Sequence, residues 1–127
     1  MKKILVVEND DDTRSIYATV LEHHGYNVLQ ADDGAAGIAL ARAHSPDLIL
    51  MNLSMPHVDG ISATSILRGE PGTAQIPIIA CTGFISADGE DKAVDAGVDA
   101  YLEKPCMPSR ILEEVEKFIG PPLLAGD

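Results

Sequence analysis

Short continuous apolar runs alternate along this chain with longer segments whose apolar residues recur every three or four positions. Residues 3–7, 48–51 and 77–81 are the runs, the first two almost all Ile, Leu, Val and Met and the third Pro-Ile-Ile-Ala-Cys. A strand carries no polar face when helices cover both sides of its sheet, so these three read as central parallel strands. Residues 26–31 alternate instead and predict an edge strand, and residues 100–102 predict a short fifth one. Between them, the first helix opens at one of Asp10, Asp11 or Asp12 and sets Ile16, Tyr17, Val20 and Leu21 on one face. Gly25 stops it, and His23 and His24 lie in its last turn, where imidazole suits the helix dipole, so both read as capping residues. An Ala-rich helix follows from Asp32-Asp33-Gly34 to about residue 43, halted by Ser45-Pro46. Residues 60–67 make a third helix, broken by Gly69 and Gly72. The segment 86–97 is a weak helix with little beyond Ala93 and Val94 to bury, and is expected to be mobile. The last helix starts near Pro108 and turns Ile111, Leu112, Val115, Phe118 and Ile119 inward.

Strict alternation of strand and helix, with right-handed crossovers, predicts a doubly wound α/β three-layer sandwich with a five-stranded parallel sheet. Of two strand orders worth weighing, 2-1-3-4-5 is preferred, with its switch point between strands one and three. Ligands gather at the carboxyl ends of strands beside such a switch point. That order sets Glu8 and Asn9 beside Asn52, with Thr82 and Lys104 on neighbouring strand ends. Asn52 thus stands where functional chemistry is expected, yet an amide is neither a good nucleophile nor a charged metal ligand.

Composition narrows the function classes. A chain of 127 residues with 46% apolar content makes one domain, taken as 1–120, with 121–127 expected to be a disordered tail. No apolar run reaches membrane-spanning length and the start lacks a secretory pattern, so a cytoplasmic protein is expected. A formal charge of −11 argues against nucleic-acid binding, which needs a basic face. Cys81 and Cys106 show no metal spacing and are too few for a disulfide framework. Cys81 reads as a core thiol and Cys106 as a remote candidate for redox sensing; His57 reads as an exposed loop residue.

Taken in order and spacing, Ile4-Leu5-Val6-Val7-Glu8-Asn9, Pro46 to Asn52, Met55-Pro56 with Gly60, Thr82, and Lys104-Pro105 resemble the receiver domain of two-component response regulators over essentially the whole chain. The resemblance implies a signalling and interaction module, not an enzyme. Its partners would be a sensor histidine kinase or another signalling protein, and an output domain or effector. It places Asn52 at the phosphoacceptor position, normally Asp, and Thr82 and Lys104 at phosphoryl-contact positions. Mg²⁺ would use Glu8, Asn9, Asn52 and Ser54, and is expected to bind weakly or not at all because two of three carboxylate positions carry amides. Tyr101 matches an aromatic switch, although it could simply pack on the last helix. The Lys104-Pro105 bond is expected to be cis. The two Asn are either natural, giving a receiver that signals without phosphorylation, or engineered to silence an ordinary one. A flavodoxin-like binding domain would need a hydroxyl- and Gly-rich phosphate loop where Glu8-Asn9-Asp10-Asp11-Asp12 stands. A hydrolase would need a strand-end nucleophile, and Asn52 is not one.

Overall fold

A computed structural model of the chain describes residues 1–53, 55, 59–83 and 87–122. Five strands, β1 (Lys3–Val7), β2 (Asn27–Ala31), β3 (Leu48–Met51), β4 (Ile78–Thr82) and β5 (Ala100–Glu103), form one parallel sheet of order β2-β1-β3-β4-β5. This is the order expected from the sequence, and β2, the alternating strand, lies at its edge. Helices α1 (Asp11–His23), α2 (Gly34–His44), α3 (Gly60–Arg68), α4 (Ala87–Ala96) and α5 (Pro108–Ile119) connect the strands or follow the last.

Each face of the sheet buries its own cluster. Tyr17 and Leu21 from α1 and Ile111 and Val115 from α5 meet Ile4, Val6, Leu48, Leu50, Ile79 and Cys81 on one side. On the other, Ile38 and Ala41 of α2, Ala63 and Leu67 of α3 and Ala93 of α4 meet Leu5, Val7, Ile49, Met51, Ile78 and Ala80. Alternate residues of the three apolar runs thus serve opposite layers, which is why the central positions of those strands are apolar on both faces.

Three helices are capped by an aspartate one residue before they begin. Asp10, Asp33 and Asp59 accept hydrogen bonds from the backbone N–H groups of Thr13, Ala36 and Ser62 respectively. At the other end of α1, His24 is the C-cap and its Nδ1 lies 2.9 Å from the Val20 carbonyl, in keeping with a capping role. Gly25 follows at φ +98°, a left-handed conformation that favours glycine.

Several side chains face differently from the helical pattern's expectation. Ile16 is exposed, and α1 buries Tyr17, Ala18 and Leu21 instead, so the inward stripe is centred one position further along. In α4 only Ala93 of the expected pair is buried while Val94 is exposed, and in α5 Phe118 keeps 38% of its surface exposed. Short helices expose such residues because one narrow stripe of contact with the sheet satisfies them. Cys81 is buried as expected but is not a free thiol, because it is disulfide-bonded to Cys106. The two are 25 positions apart. Pairing of β4 with β5 brings their strand ends together, which linear spacing does not reveal. Ser54, His57 and residues 123–127 of the expected tail lie outside the described residues.

Arg68, the last residue of α3, stitches two connections, the one from α3 to β4 and the one from α4 to β5. It donates to the carbonyls of Gly97, Ala74 and Ile76 at 2.9, 3.0 and 2.6 Å, and pairs with Asp99 at 2.6 Å. Asp99 in turn accepts the backbone N–H of Ile78 at the start of β4. Arg68→Ala is expected to cost about 3 kcal/mol, because several half-buried carbonyls lose their donor at once. Arg68→Lys should recover little of it, since one ammonium cannot span the fork. Urea melts of the two variants check this; a loss under about 1 kcal/mol for Arg68→Ala would show that water replaces the guanidinium.

Candidate functional site

The carboxyl ends of β1 and β3 carry the centre of the site. Ladder hydrogen bonds run one residue past both strands. The Asn52 N–H donates to the Val7 carbonyl and the Glu8 N–H to the Ala31 carbonyl, each at 3.0 Å. The side chains of Glu8 and Asn52 are therefore set next to each other, and both are buried.

Among the described residues there, Glu8 is the buried anion, and both of its carboxylate oxygens are engaged. Lys104 Nζ donates to Oε1 at 2.5 Å. Asn52 Nδ2 and the backbone N–H of Asp10 donate to Oε2 at 2.9 and 3.0 Å. The second proton of the Asn52 amide goes to Asn9 Oδ1, also at 2.9 Å. The guanidinium of Arg14 donates to the Glu8 carbonyl at 2.9 Å, which fixes the turn from β1 into α1. Asp10, the cap of that helix, accepts two hydrogen bonds on Oδ2, from the Thr13 N–H and the Thr13 hydroxyl. The Thr13 hydroxyl and then the Thr13 N–H hold its carboxyl below the usual carboxylate range.

Lys104 reaches Glu8 from the end of β5, where the Lys104-Pro105 bond is cis as expected. Its backbone N–H donates to the Thr82 carbonyl at 2.6 Å, so the ends of β4 and β5 are tied directly. Thr82 is buried at the last position of β4. The structure thus gathers Glu8, Asn9, Asn52 and Lys104 in one hydrogen-bonded group, with Thr82 alongside. Ser54 lies outside the described residues. Tyr101 stands apart, half-buried against the cluster shared by α2, α3 and α4. It does not pack on α5, because alternation along β5 turns it to the opposite face. Burial, with Glu103 and Glu90 adding to it, pushes its phenol above the ordinary range.

Two residues of this region were not singled out by the sequence. Arg14 belongs to no motif, and only its place in the first turn of α1, six residues after Glu8, hints at its role. Tyr17 looked like plain core. Its hydroxyl lies 3.4 Å from Cys81 Sγ and can donate to it. Burial first, and the Glu8 carboxylate second, push that phenol upward, so it stays a neutral donor.

Mg²⁺ requires hard, negatively charged oxygen in near-octahedral array. Among the described residues, no group of three or more His, Cys, Asp or Glu side chains could hold a metal. An ammonium occupies one oxygen of the buried Glu8 carboxylate, and an amide NH₂ faces the other. These residues do not fit a resident Mg²⁺ as they are arranged.

Comparison with known proteins gives a consistent picture. A family model described as the response regulator receiver domain matches residues 4–116. The polar-differentiation response regulator DivK of Brucella anthropi is 31% identical over 119 residues, covering 94% of this chain and 97% of that protein. The Vibrio cholerae chemotaxis protein CheY4 superposes with a TM-score of 0.88 at 25% identity, over 93% of this chain and 98% of that one. The receiver domain of the sensor histidine kinase PA1611 of Pseudomonas aeruginosa gives 0.87 at 29% identity, over 94% and 98%. That structure has a magnesium ion coordinated in its active-site cleft. No helix among the described residues is long and apolar enough to cross a membrane.

Proposed function

Because this chain belongs to the response regulator receiver family of two-component signalling, we propose that it signals through protein–protein contact without accepting a phosphoryl group. The observation that carries this reading is the state of the Asn52 amide. It stands at the position expected to be the acceptor, and its nitrogen donates to Glu8 and Asn9. A carboxylate there would be a nucleophile for phosphorus. The amide nitrogen is not, because its lone pair is delocalised into the carbonyl and its protons are already given away.

The surrounding charges support the same reading. Phosphoryl transfer depends on metal and donors arranged to neutralise charge on the transferring group. Here Lys104, the cation expected to meet phosphoryl oxygens, neutralises Glu8 instead. In this reading Glu8, Asn9, Asn52 and Ser54 hold Mg²⁺ weakly or not at all. Thr82 and Tyr101 keep their family positions with no phosphoryl group to report. The partners are a sensor histidine kinase, another signalling protein or an effector, recognised by surface rather than by chemistry at Asn52.

The test is the intact mass of the purified protein before and after acetyl phosphate with Mg²⁺. No gain is expected. Asn9→Asp with Asn52→Asp should gain the mass of one phosphoryl group, and EDTA should prevent the gain. A phosphoryl adduct on the unaltered chain would overturn the proposal.

A further inference from the structure

The Cys81–Cys106 disulfide joins the same two strand ends that carry Thr82 and Lys104, and neither sulfur has a part in the reading above. We propose that this pair is a reversible, peroxide-sensitive thiol switch that sets the position of the Lys104–Cys106 loop. It goes beyond the signalling role proposed above and does not depend on Asn52 being silent.

Position is the first support. Cys81 is 1% exposed in β4, immediately before Thr82, and Cys106 comes two residues after Lys104. The strand ends are already linked by the hydrogen bond from Lys104 N–H to the Thr82 carbonyl. The disulfide is thus a second, chemically removable tie across one joint. The bond ties the segment that follows β5 covalently to β4, so making or breaking it acts on where that segment lies.

Access is the second support. The two sulfurs differ: Cys81 is sealed in the core shared by α1 and α5, whereas Cys106 is half-buried. Cys106 lines an open groove of about 440 Å³ with Thr13, Ile16, Tyr17, Lys104 and Pro105. A small oxidant or a thiol reductant can therefore reach Cys106 and not Cys81. A buried apolar cluster surrounds Cys81, so packing as well as the bond holds this part of the fold together.

The chemistry follows from that asymmetry. The Cys106 thiolate attacks one oxygen of hydrogen peroxide, breaking the O–O bond and giving a sulfenic acid and hydroxide, which takes up the proton lost by the thiol to become water. Cys81 sulfur then attacks the Cys106 sulfur, its proton leaves with the sulfenic oxygen as a second water, and the S–S bond forms. Two thiols lose two electrons and two protons while one peroxide becomes two waters. A dithiol reverses the reaction through a mixed disulfide on Cys106.

The experiment starts from the full chain reduced with dithiothreitol and desalted, then exposed to hydrogen peroxide. The expected product is lower in mass by two hydrogens, blocked to maleimide, and restored by dithiothreitol without denaturant. Cys81→Ala should leave Cys106 as a sulfenic acid that dimedone labels, and Cys106→Ala should leave Cys81 unmodified. Backbone amide shifts between the reduced and oxidised protein should concentrate at residues 81–83 and 103–108. Three results would each overturn the proposal. One is a protein that gains oxygen without losing two hydrogens. Another is a bond that dithiothreitol opens only after unfolding, and the third is a reduced protein that no longer folds by circular dichroism.

Discussion

Gly60→Ala is expected to destabilise the protein by about 4 kcal/mol or more, a large share of the roughly 5–15 kcal/mol that holds a small domain together. Gly60 is the first residue of α3, and its N–H donates to the Leu53 carbonyl at 3.0 Å. A methyl group there would stand 2.1 Å from the Asn52 carbonyl oxygen and 2.6 Å from Leu53 Cα. Both are backbone atoms of the segment that leaves β3, so relief requires moving the turn that positions Asn52. Helix propensity favours alanine by only about 1 kcal/mol and cannot offset such a clash. Gly37→Ala supplies the contrast. Its added methyl would meet the Val7 side chain at 2.9 and 3.0 Å, and a core side chain can shift by a few tenths of an ångström. Its net cost should be about 1–2 kcal/mol. Thermal and urea melts of both variants decide the matter: a Gly60→Ala midpoint within a few degrees of the parent would mean that α3 can be re-seated cheaply.

That contrast also marks how far the sequence could be read. Gly60 was visible as part of a family pattern, but no periodicity says that its missing Cβ is what lets α3 start against the end of β3. The architecture was legible because it rests on local rules. The apolar runs at 3–7, 48–51 and 77–81 could belong only to strands covered on both faces, and the helices between them forced crossovers of one hand. The residues gathered at the site were legible for a related reason: each one ends a strand or follows one directly. What sequence could not give was the network among them. Nothing in the spacing of Glu8, Asn52 and Lys104 says which oxygen accepts from which donor. The orientation of α1 and α5 failed more simply, since Ile16 and Phe118 fit an apolar stripe that the helices, as packed, leave outside. The Cys81–Cys106 pairing was missed for another reason: the preferred strand order already set Thr82 and Lys104 on neighbouring strand ends, but the cysteines beside them were weighed by linear spacing alone.

Lys104→Met should cost about 3 kcal/mol, and Glu8→Gln in the Lys104→Met background should return much of it. The reason is the unequal burial of the pair: the Glu8 side chain is 2% exposed and that of Lys104 25%. Removing the ammonium strands a carboxylate in the core with only the Asn52 amide and the Asp10 N–H for company. Breaking a buried pair from one side typically costs about 3–5 kcal/mol because the remaining charge stays desolvated. Removing the carboxylate first is milder. A quarter-exposed lysine can turn its head to water, and the glutamine amide would keep an oxygen for the Asp10 N–H, so Glu8→Gln alone should cost nearer 1 kcal/mol. The double variant should then be more stable than the sum of the singles by about 2 kcal/mol, well beyond the few tenths expected of independent sites. For a domain of this size that coupling is worth roughly ten degrees in melting midpoint. Because the pair is buried, it should survive high salt, whereas a surface pair would fade. Additive losses in this cycle would mean that Lys104 is held by its backbone and that Glu8 relies on Asn52 alone. The ammonium would then be free to meet an incoming anion, and the internally neutralised site proposed above would lose its main support.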